Sequence, residues 1–323
     1  MSSKKIDLSI VVPMFNEEKV VKELHERLSS SLKSMKGKYR TQTEIIFVND
    51  GSTDNTLENL LKVKDKDKRV RVVNLMGNFG QTAALSAGFD TAKGDIIVSM
   101  DGDLQDDPDD ISVLIEKMEE GYDIVSGWRK DRKENLIIRR IPSMVANRLL
   151  ARISGVNIHD FGATMKAYRA DIIKNIRLYG DFHRFIPALA VDMRAKIGEV
   201  VIRNYERPYG SSKYGIKRTF TVFFDLFRLR FLLGYLNKPL QTFGTMGFFL
   251  TLLGSIFFVY VFVKKFLLGI HIMVEHGPMF ITSIFLILSG INFFVIGLLG
   301  ELMLRILYES KEKKSYLIRK IYD

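Results

Sequence analysis

Asp101-Gly102-Asp103 closes the apolar run Asp95-Ile96-Ile97-Val98-Ser99-Met100, and Gln105 and Asp106 follow at once. A buried parallel strand reads as a continuous apolar run, and open α/β sheets bind ligands beyond the carboxyl ends of their strands. Two carboxylates one residue apart at such an end make a hard oxygen cluster. That chemistry suits Mg²⁺ or Mn²⁺, and through the metal a diphosphate. A small residue at 102 would let a ligand approach the backbone. The same residues also read as a solvated acidic loop leading into a helix opened by Asp109 and Asp110, so the motif gains meaning only from its company.

That company is three further loops, each after an apolar run: Val12-Pro13-Met14-Phe15-Asn16-Glu17-Glu18, Val48-Asn49-Asp50-Gly51-Ser52-Thr53-Asp54, and Asn78-Phe79-Gly80-Gln81-Thr82-Ala83-Ala84-Leu85. The ring of Phe15 could stack on a base, Asp50 could accept a base N–H, and Gly80 would let the backbone approach a ribose or phosphate. Taken singly, Asp50-Gly51-Ser52 is also a good turn and Asn16 a good helix N-cap. No G-x-G-x-x-G or G-x-x-x-x-G-K-[ST] occurs, so the dinucleotide-binding and P-loop modes lack their signatures.

The elements that must position these loops are legible in the period of the pattern. Runs 8–12, 44–48, 70–75, 95–100 and 123–126 are predicted strands, separated by helical stretches near 17–35, 53–64, 81–92 and 109–120. Such alternation predicts an α/β fold with a mostly parallel sheet and right-handed crossovers. Beyond Trp128 a basic stretch (Arg129, Lys130, Arg132, Lys133, Arg139, Arg140) precedes a helix over about 139–153. A short strand, Ala163 to Tyr168, and a helix near 181–194 follow.

Composition narrows the chemistry. The 323 residues include no Cys, which excludes disulfides, thiolate metal sites and thiol catalysis, and the five His residues show no zinc-enzyme spacing. Leu8 to Val12 is too short for a signal peptide. Pro239–Val263 and Gly277–Gly300 carry no charged residue. Each can cross a hydrocarbon core of about 30 Å at about 1.5 Å per residue. Only Lys264, Lys265 and Glu275 are charged between them, whereas basic residues outnumber acidic ones by eight to two over 203–238 and six to four over 301–323. The positive-inside rule then makes both flanks cytoplasmic and the two helices a hairpin. Residues 216–238 mix Phe220, Phe223, Phe224, Phe227 and Phe231 with Lys217, Arg218, Arg228 and Arg230, the pattern of an interfacial amphipathic helix. The net charge of +11 lies largely beside the membrane and calls for no nucleic acid.

In their order and spacing V-V-P-x-F-N-E, N-D-G-S-T-D, N-F-G-x-x-A-A-L and M-D-x-D-L-Q-x-x-P resemble glycosyltransferase family 2. The nearer resemblance is to its polyprenyl-phosphate branch, similar to dolichol-phosphate mannose synthase and its bacterial relatives. The segments His159–Arg169, His183-Arg184-Phe185-Ile186-Pro187 and Arg207–Tyr214 extend it over nearly the whole chain. The resemblance implies a GT-A catalytic domain over 1–215, followed by the interfacial helix (216–238), the hairpin (239–300) and a basic cytoplasmic tail (301–323) in the inner membrane. Nucleotide-sugar contacts fall to Pro13, Phe15, Glu17, Asp50, Gly80, Gln81 and Asp101. Asp101, Asp103 and Gln105 would hold Mg²⁺ or Mn²⁺. Arg129, Arg139, Ser143 and Arg207 match positions assigned to the phosphate of a lipid such as undecaprenyl phosphate. Arg139 and Ser143, four apart, share a helix face, and guanidinium forks suit phosphate oxygens.

The activity implied is single displacement with inversion, from a nucleotide sugar such as UDP-glucose or a related UDP-hexose, with Asp103, Arg139 and Ser143 at the reacting groups. Asp160 would serve as base or sugar-orienting carboxylate, or simply as a turn residue. The family also extends to homo-oligomers, a tetramer among them. Asn49, Gly77, Ala163 and Lys166 depart from the mannose-synthase or bacterial patterns and leave the sugar open. Two other readings compete. A processive polysaccharide synthase usually carries Q-x-x-R-W, but the single Trp here is Trp128. A non-catalytic membrane scaffold would need damaged site residues, and Asp50, Asp101, Asp103 and Gln105 are all present.

Overall fold

A computed structural model describes residues 5–35, 37–130, 147–148, 150–152, 154–178, 180, 182–206, 239–269, 271–309 and 314–323, with side chains of 304–309 excepted. Arg139, Ser143 and Arg207, most of the helix expected over 139–153, and the interfacial helix of 216–238 lie outside the described residues. The chain divides into two compact units, one of 1–226 with 314–323 and one of 227–313.

In the first unit β1 (Leu8–Met14), β2 (Thr43–Asn49), β3 (Val70–Leu75) and β4 (Ile96–Ser99) alternate with α1 (Val21–Ser34), α2 (Thr56–Lys66), α3 (Gln81–Thr91) and α4 (Asp110–Glu119). Both faces of β1 and β2 are covered, which is why they read as unbroken apolar runs. Their polar exceptions are paired: Ser9 Oγ donates to Glu44 at 2.6 Å inside the sheet. Next come β5 (Ile124–Trp128), β6 (Lys166–Arg169), β7 (Ile197–Val201) and β8 (Ile318–Tyr322), and the eight strands run β7-β5-β6-β4-β1-β2-β3-β8.

The expected mostly parallel sheet holds for β4-β1-β2-β3 and for β5-β7, but the sheet is mixed, because β6 and β8 are antiparallel. Strand β6 is wedged between β4 and β5, so its first residue, Lys166, lies at their carboxyl ends beside Ser99 and Ser126. The chain winds β1–β2–β3 to one side of β1 and places β4 on the other, so the crevice of this sheet opens between the ends of β1 and β4.

Three further expectations are corrected. The helix near 181–194 is a succession of short turns, Phe182–Phe185, Ile186–Leu189 and Ala190–Met193, with Pro187 inside the second. Asn16 does not cap α1, which begins at Val21 after a turn; its φ of 55° is left-handed. The segment 301–323 is not a plain tail, since Ile318–Tyr322 pairs with β3 and Arg71 bonds Asp323 at 2.5 Å.

The second unit holds two long helices, α5 (Pro239–Leu268) and α6 (Gly277–Glu309). Stretches of 30 and 27 residues each contain an 18-residue window of mean hydropathy 2.3 and are long and apolar enough to cross a membrane. Glycines bring the helices together: a Cβ on Gly247 would lie 2.6 Å from the Gly290 carbonyl, and one on Gly254 2.8 Å from the Ser283 carbonyl. Small residues at the seam with Phe248, Phe249, Phe285 and Leu288 exposed is the arrangement of helices that pack in lipid.

Candidate active site

The loops after β1, β2, β3 and β4 are stitched to one another. Asn16 accepts the Thr53 amide at 2.8 Å and gives its own N–H to Ser52 Oγ at 3.0 Å. The Glu17 amide donates to Thr56 Oγ1, and Glu18 accepts the Asn55 amide. The second loop then grips the third. Asp50, buried, accepts the amides of Phe79 and Gly80 at 2.8 and 2.9 Å, one on each oxygen. Burial raises its pKa and the two amides oppose the rise. Gly51, at φ 66°, lies so close beneath Gly77 that a Cβ would sit 2.3 Å from its carbonyl carbon. Asp50 therefore has a loop-shaping duty that its place in the sequence did not reveal; each oxygen keeps a second lone pair for a ligand.

The third loop reaches the fourth through Gln81, whose amide donates to Asp101 at 2.7 Å. The first also touches it: a Cβ on Gly102 would lie 2.3 Å from Met14 Sδ and 3.0 Å from the Pro13 carbonyl. The small residue between the aspartates thus admits the end of β1 rather than a ligand. Asp103 accepts the Gln105 amide, and the Gln105 side chain turns toward the Tyr205 carbonyl at 3.3 Å. Between them the buried Leu104 takes a φ of 64°, a conformation a branched side chain resists. The loop is further clamped by the Asp101 amide on Asp106 and by Arg203, which holds Asp107 and Asp110.

Asp101 is pushed up to about 7, by burial first and then by Asp106 and Asp103, against Thr164 and Arg129. Asp106 rises to about 6, mainly through burial. Among the described residues no three His, Cys, Asp or Glu form a complete metal cage. Crowded carboxylates with an incomplete ligand set fit a hard divalent ion that draws its remaining oxygens from a diphosphate and water.

On the β5–β6 side, Arg129 forks onto Asp160, Nε to Oδ2 at 2.9 Å and a terminal nitrogen to Oδ1 at 3.2 Å. The resemblance gave Arg129 to a lipid phosphate and offered Asp160 as a base. The structure joins them, so both oxygens of Asp160 are engaged by the guanidinium. Glu199 fixes the loop beneath by accepting the amides of His159 and Asp160 and the His159 ring, which stacks on Trp128 at 4.2 Å. Lys166, fully buried, donates to the carbonyls of Phe161 and Ala163, and burial lowers its pKa to about 8. His183 meets Thr82 at 2.7 Å and so holds the start of α3. The sequence marked Lys166 only as a departure and His183 only as part of a motif; their roles depend on long-range placement.

Residues 9–177 match the family model for glycosyl transferase family 2. The chain is 42% identical over 324 residues to dodecaprenyl-phosphate galacturonate synthase of Rhizobium johnstonii, covering 99% of this chain and 94% of that one. It is 32% identical over 315 residues to undecaprenyl-phosphate 4-deoxy-4-formamido-L-arabinose transferase of Edwardsiella ictaluri, at 97% and 94% coverage. Glucosyl-3-phosphoglycerate synthase from Mycobacterium tuberculosis, solved with Mn²⁺, UDP and glucosyl-3-phosphoglycerate, shares the fold with a TM-score of 0.52 at 20% identity, over 68% of this chain and 80% of that one. The expected GT-A architecture is the one observed.

Proposed function

This chain belongs to glycosyl transferase family 2 and is a glycosyltransferase, and on that premise we propose that it moves a sugar from a nucleotide sugar to the phosphate of a polyprenyl lipid. The observation that carries this reading is the meeting, at one edge of the sheet, of the Asp101–Asp106 carboxylate cluster with the half-buried Arg129 fork. One half suits a metal-bound diphosphate and the other an anionic acceptor. Relatives named for dodecaprenyl and undecaprenyl phosphate support the acceptor class. The solved neighbour with UDP and Mn²⁺ suits a UDP-sugar donor. The donor sugar would be one of the UDP-hexoses or their derivatives; glucose stands beside the galacturonate and modified arabinose of the relatives' names.

Asp101 and Asp103 would hold Mg²⁺ or Mn²⁺, with Gln105 beside them. When bound, the ion would neutralise charge on the departing nucleoside diphosphate. The protein's own part is positioning. A phosphate acceptor is already anionic at neutral pH, so no strong base is needed, in keeping with an Asp160 locked to Arg129. Arg129 would present its remaining N–H groups to the acceptor phosphate, with Arg139, Ser143 and Arg207 completing that subsite. In-line attack on the anomeric carbon inverts it.

The two apolar helices would keep the site at the membrane surface, because drawing a polyprenyl tail into water costs about 0.8 kcal/mol per CH₂. We place the first unit on the cytoplasmic side of the inner membrane on the charge asymmetry of its flanks. The test is UDP binding and sugar release by full-length protein with and without Mn²⁺, for wild type and Asp103→Asn. Metal-dependent binding lost in D103N supports the donor half; unchanged metal dependence in D103N overturns it.

A further inference from the structure

Lys166, which departs from the mannose-synthase pattern, is the most deeply buried cation of the site among the described residues. Because β6 runs antiparallel between β4 and β5, its first residue is delivered to their carboxyl ends, behind both halves of the site. The ammonium group donates to the carbonyls of Phe161 and Ala163, closing the turn that carries Asp160 at one end and Thr164 at the other. Asp160 is the partner of Arg129, and Thr164 hydrogen-bonds Asp101. Lys166 is within electrostatic reach of Asp160, Asp101 and Asp106.

The formal charges give this position a consequence. Among the described residues Lys166 and Arg129 both act on the carboxylates Asp101 and Asp106, and Lys166 also on Asp160. The neighbouring Asp107 and Asp110 are matched by Arg203, and Glu199 faces His159. Removing Lys166 would take one positive charge from beside these carboxylates, so the site would hold a cation harder and a diphosphate more weakly.

We propose that Lys166 is an electrostatic positioning residue: a fixed internal cation, anchored on the Phe161 and Ala163 carbonyls, that weakens metal binding at Asp101 and Asp103 while favouring the anionic substrates. This rests on the metal reading given above. It gives the buried amine a function beyond filling space, and it predicts effects of opposite sign on the two ligands. A residue that only supported the loop would, when replaced, weaken both.

The experiment uses the full chain in detergent and measures Mn²⁺ binding from the free-ion electron paramagnetic resonance signal, and UDP binding without metal by calorimetry. The variant is Lys166→Gln, whose amide can still donate to the two carbonyls but carries no charge. We expect K166Q to bind Mn²⁺ about fivefold or more tightly, and UDP about fivefold or more weakly, than wild type. Lys166→Arg, which restores the charge, should return Mn²⁺ affinity toward the wild-type value. If K166Q fails to fold, K166R against wild type still decides: a mere loop support disturbed by the larger guanidinium would lose Mn²⁺ affinity, whereas a counter-cation would keep it. Weaker or unchanged Mn²⁺ binding in a folded K166Q overturns the proposal alone. Absence of Mn²⁺ binding by wild type overturns the metal reading and the proposal with it.

Discussion

Alanine at Gly51 tests whether the second loop carries the third. Gly51 and Gly37 share a φ of 66°, but a Cβ at 37 meets nothing within 4 Å, while one at 51 would lie 2.3 to 2.7 Å from the backbone of Gly77 and Asn78. In both variants the left-handed conformation costs about 1–2 kcal/mol. The loss of glycine's freedom in the unfolded chain returns about 0.4–1 kcal/mol in each, so the two effects cancel in the comparison. What remains is the forced separation of loops two and three, about 1–3 kcal/mol if the backbone yields as overpacked sites do. At about 2–4 °C per kcal/mol for a unit of this size, Gly51→Ala should melt about 2–12 °C below Gly37→Ala. The single Trp, Trp128 at the end of β5, reports unfolding of the first unit by fluorescence without signal from α5 or α6. Moving Gly77 also draws the Phe79 and Gly80 amides from Asp50, so G51A should bind UDP more weakly while G37A binds it normally. Equal melting temperatures and equal UDP affinity in the two variants would refute the claim that this contact sets the loop.

Asp50→Asn replaces an acceptor facing the Gly80 or Phe79 amide with a donor, and unfolding in denaturant should show a loss of about 1–3 kcal/mol. Arg129→Met leaves Asp160 buried without its fork, costing about 3–5 kcal/mol by the same measurement, whereas Arg129→Lys should fold and raise the KM for polyprenyl phosphate more than for the donor. The carboxyls of Asp101 and Asp106 are raised from 3.8 to about 7 and about 6. The folded protein therefore holds protons more tightly than the unfolded chain. Metal-free stability should be greatest below about pH 4 as far as this pair is concerned and fall as pH rises toward 7, and Asp106→Asn should flatten that fall in melting curves. Deleting residues 315–323 removes β8 and the Tyr316 bond to Asp90, and should lower the melting point of the first unit, read from Trp128.

Much of the architecture was legible because it is written in local pattern. Strands β1 to β5 are apolar runs covered on both faces, and α1, α2 and α4 keep amphipathic spacing, while α3, rich in alanine, is buried along most of its length. The strands that escaped are those whose burial is partial: β8, Ile-Arg-Lys-Ile-Tyr, is an edge strand mostly exposed, and β7 contains Gly198 and Glu199. Within the site, residue types announced the carboxylate cluster and the basic stretch, but not their internal partners. Asp50 is turned toward backbone amides, Gly102 accommodates Met14, and Arg129 is joined to Asp160 across 31 positions. Such pairings depend on which strand ends the sheet brings together, and β6, short and antiparallel, decides several of them.

The measurement that tests the central claim most directly is formation of lipid-linked sugar by the purified full-length protein. Undecaprenyl phosphate in detergent would be supplied with Mg²⁺ or Mn²⁺ and a panel of labelled UDP- and GDP-sugars, and the organic phase analysed by mass spectrometry. The account predicts one strongly preferred UDP-sugar, a single sugar per lipid phosphate in the inverted configuration, and loss of product on chelation. Polymer growth, or metal-dependent turnover of the donor with no sugar on the lipid across the panel, would contradict it.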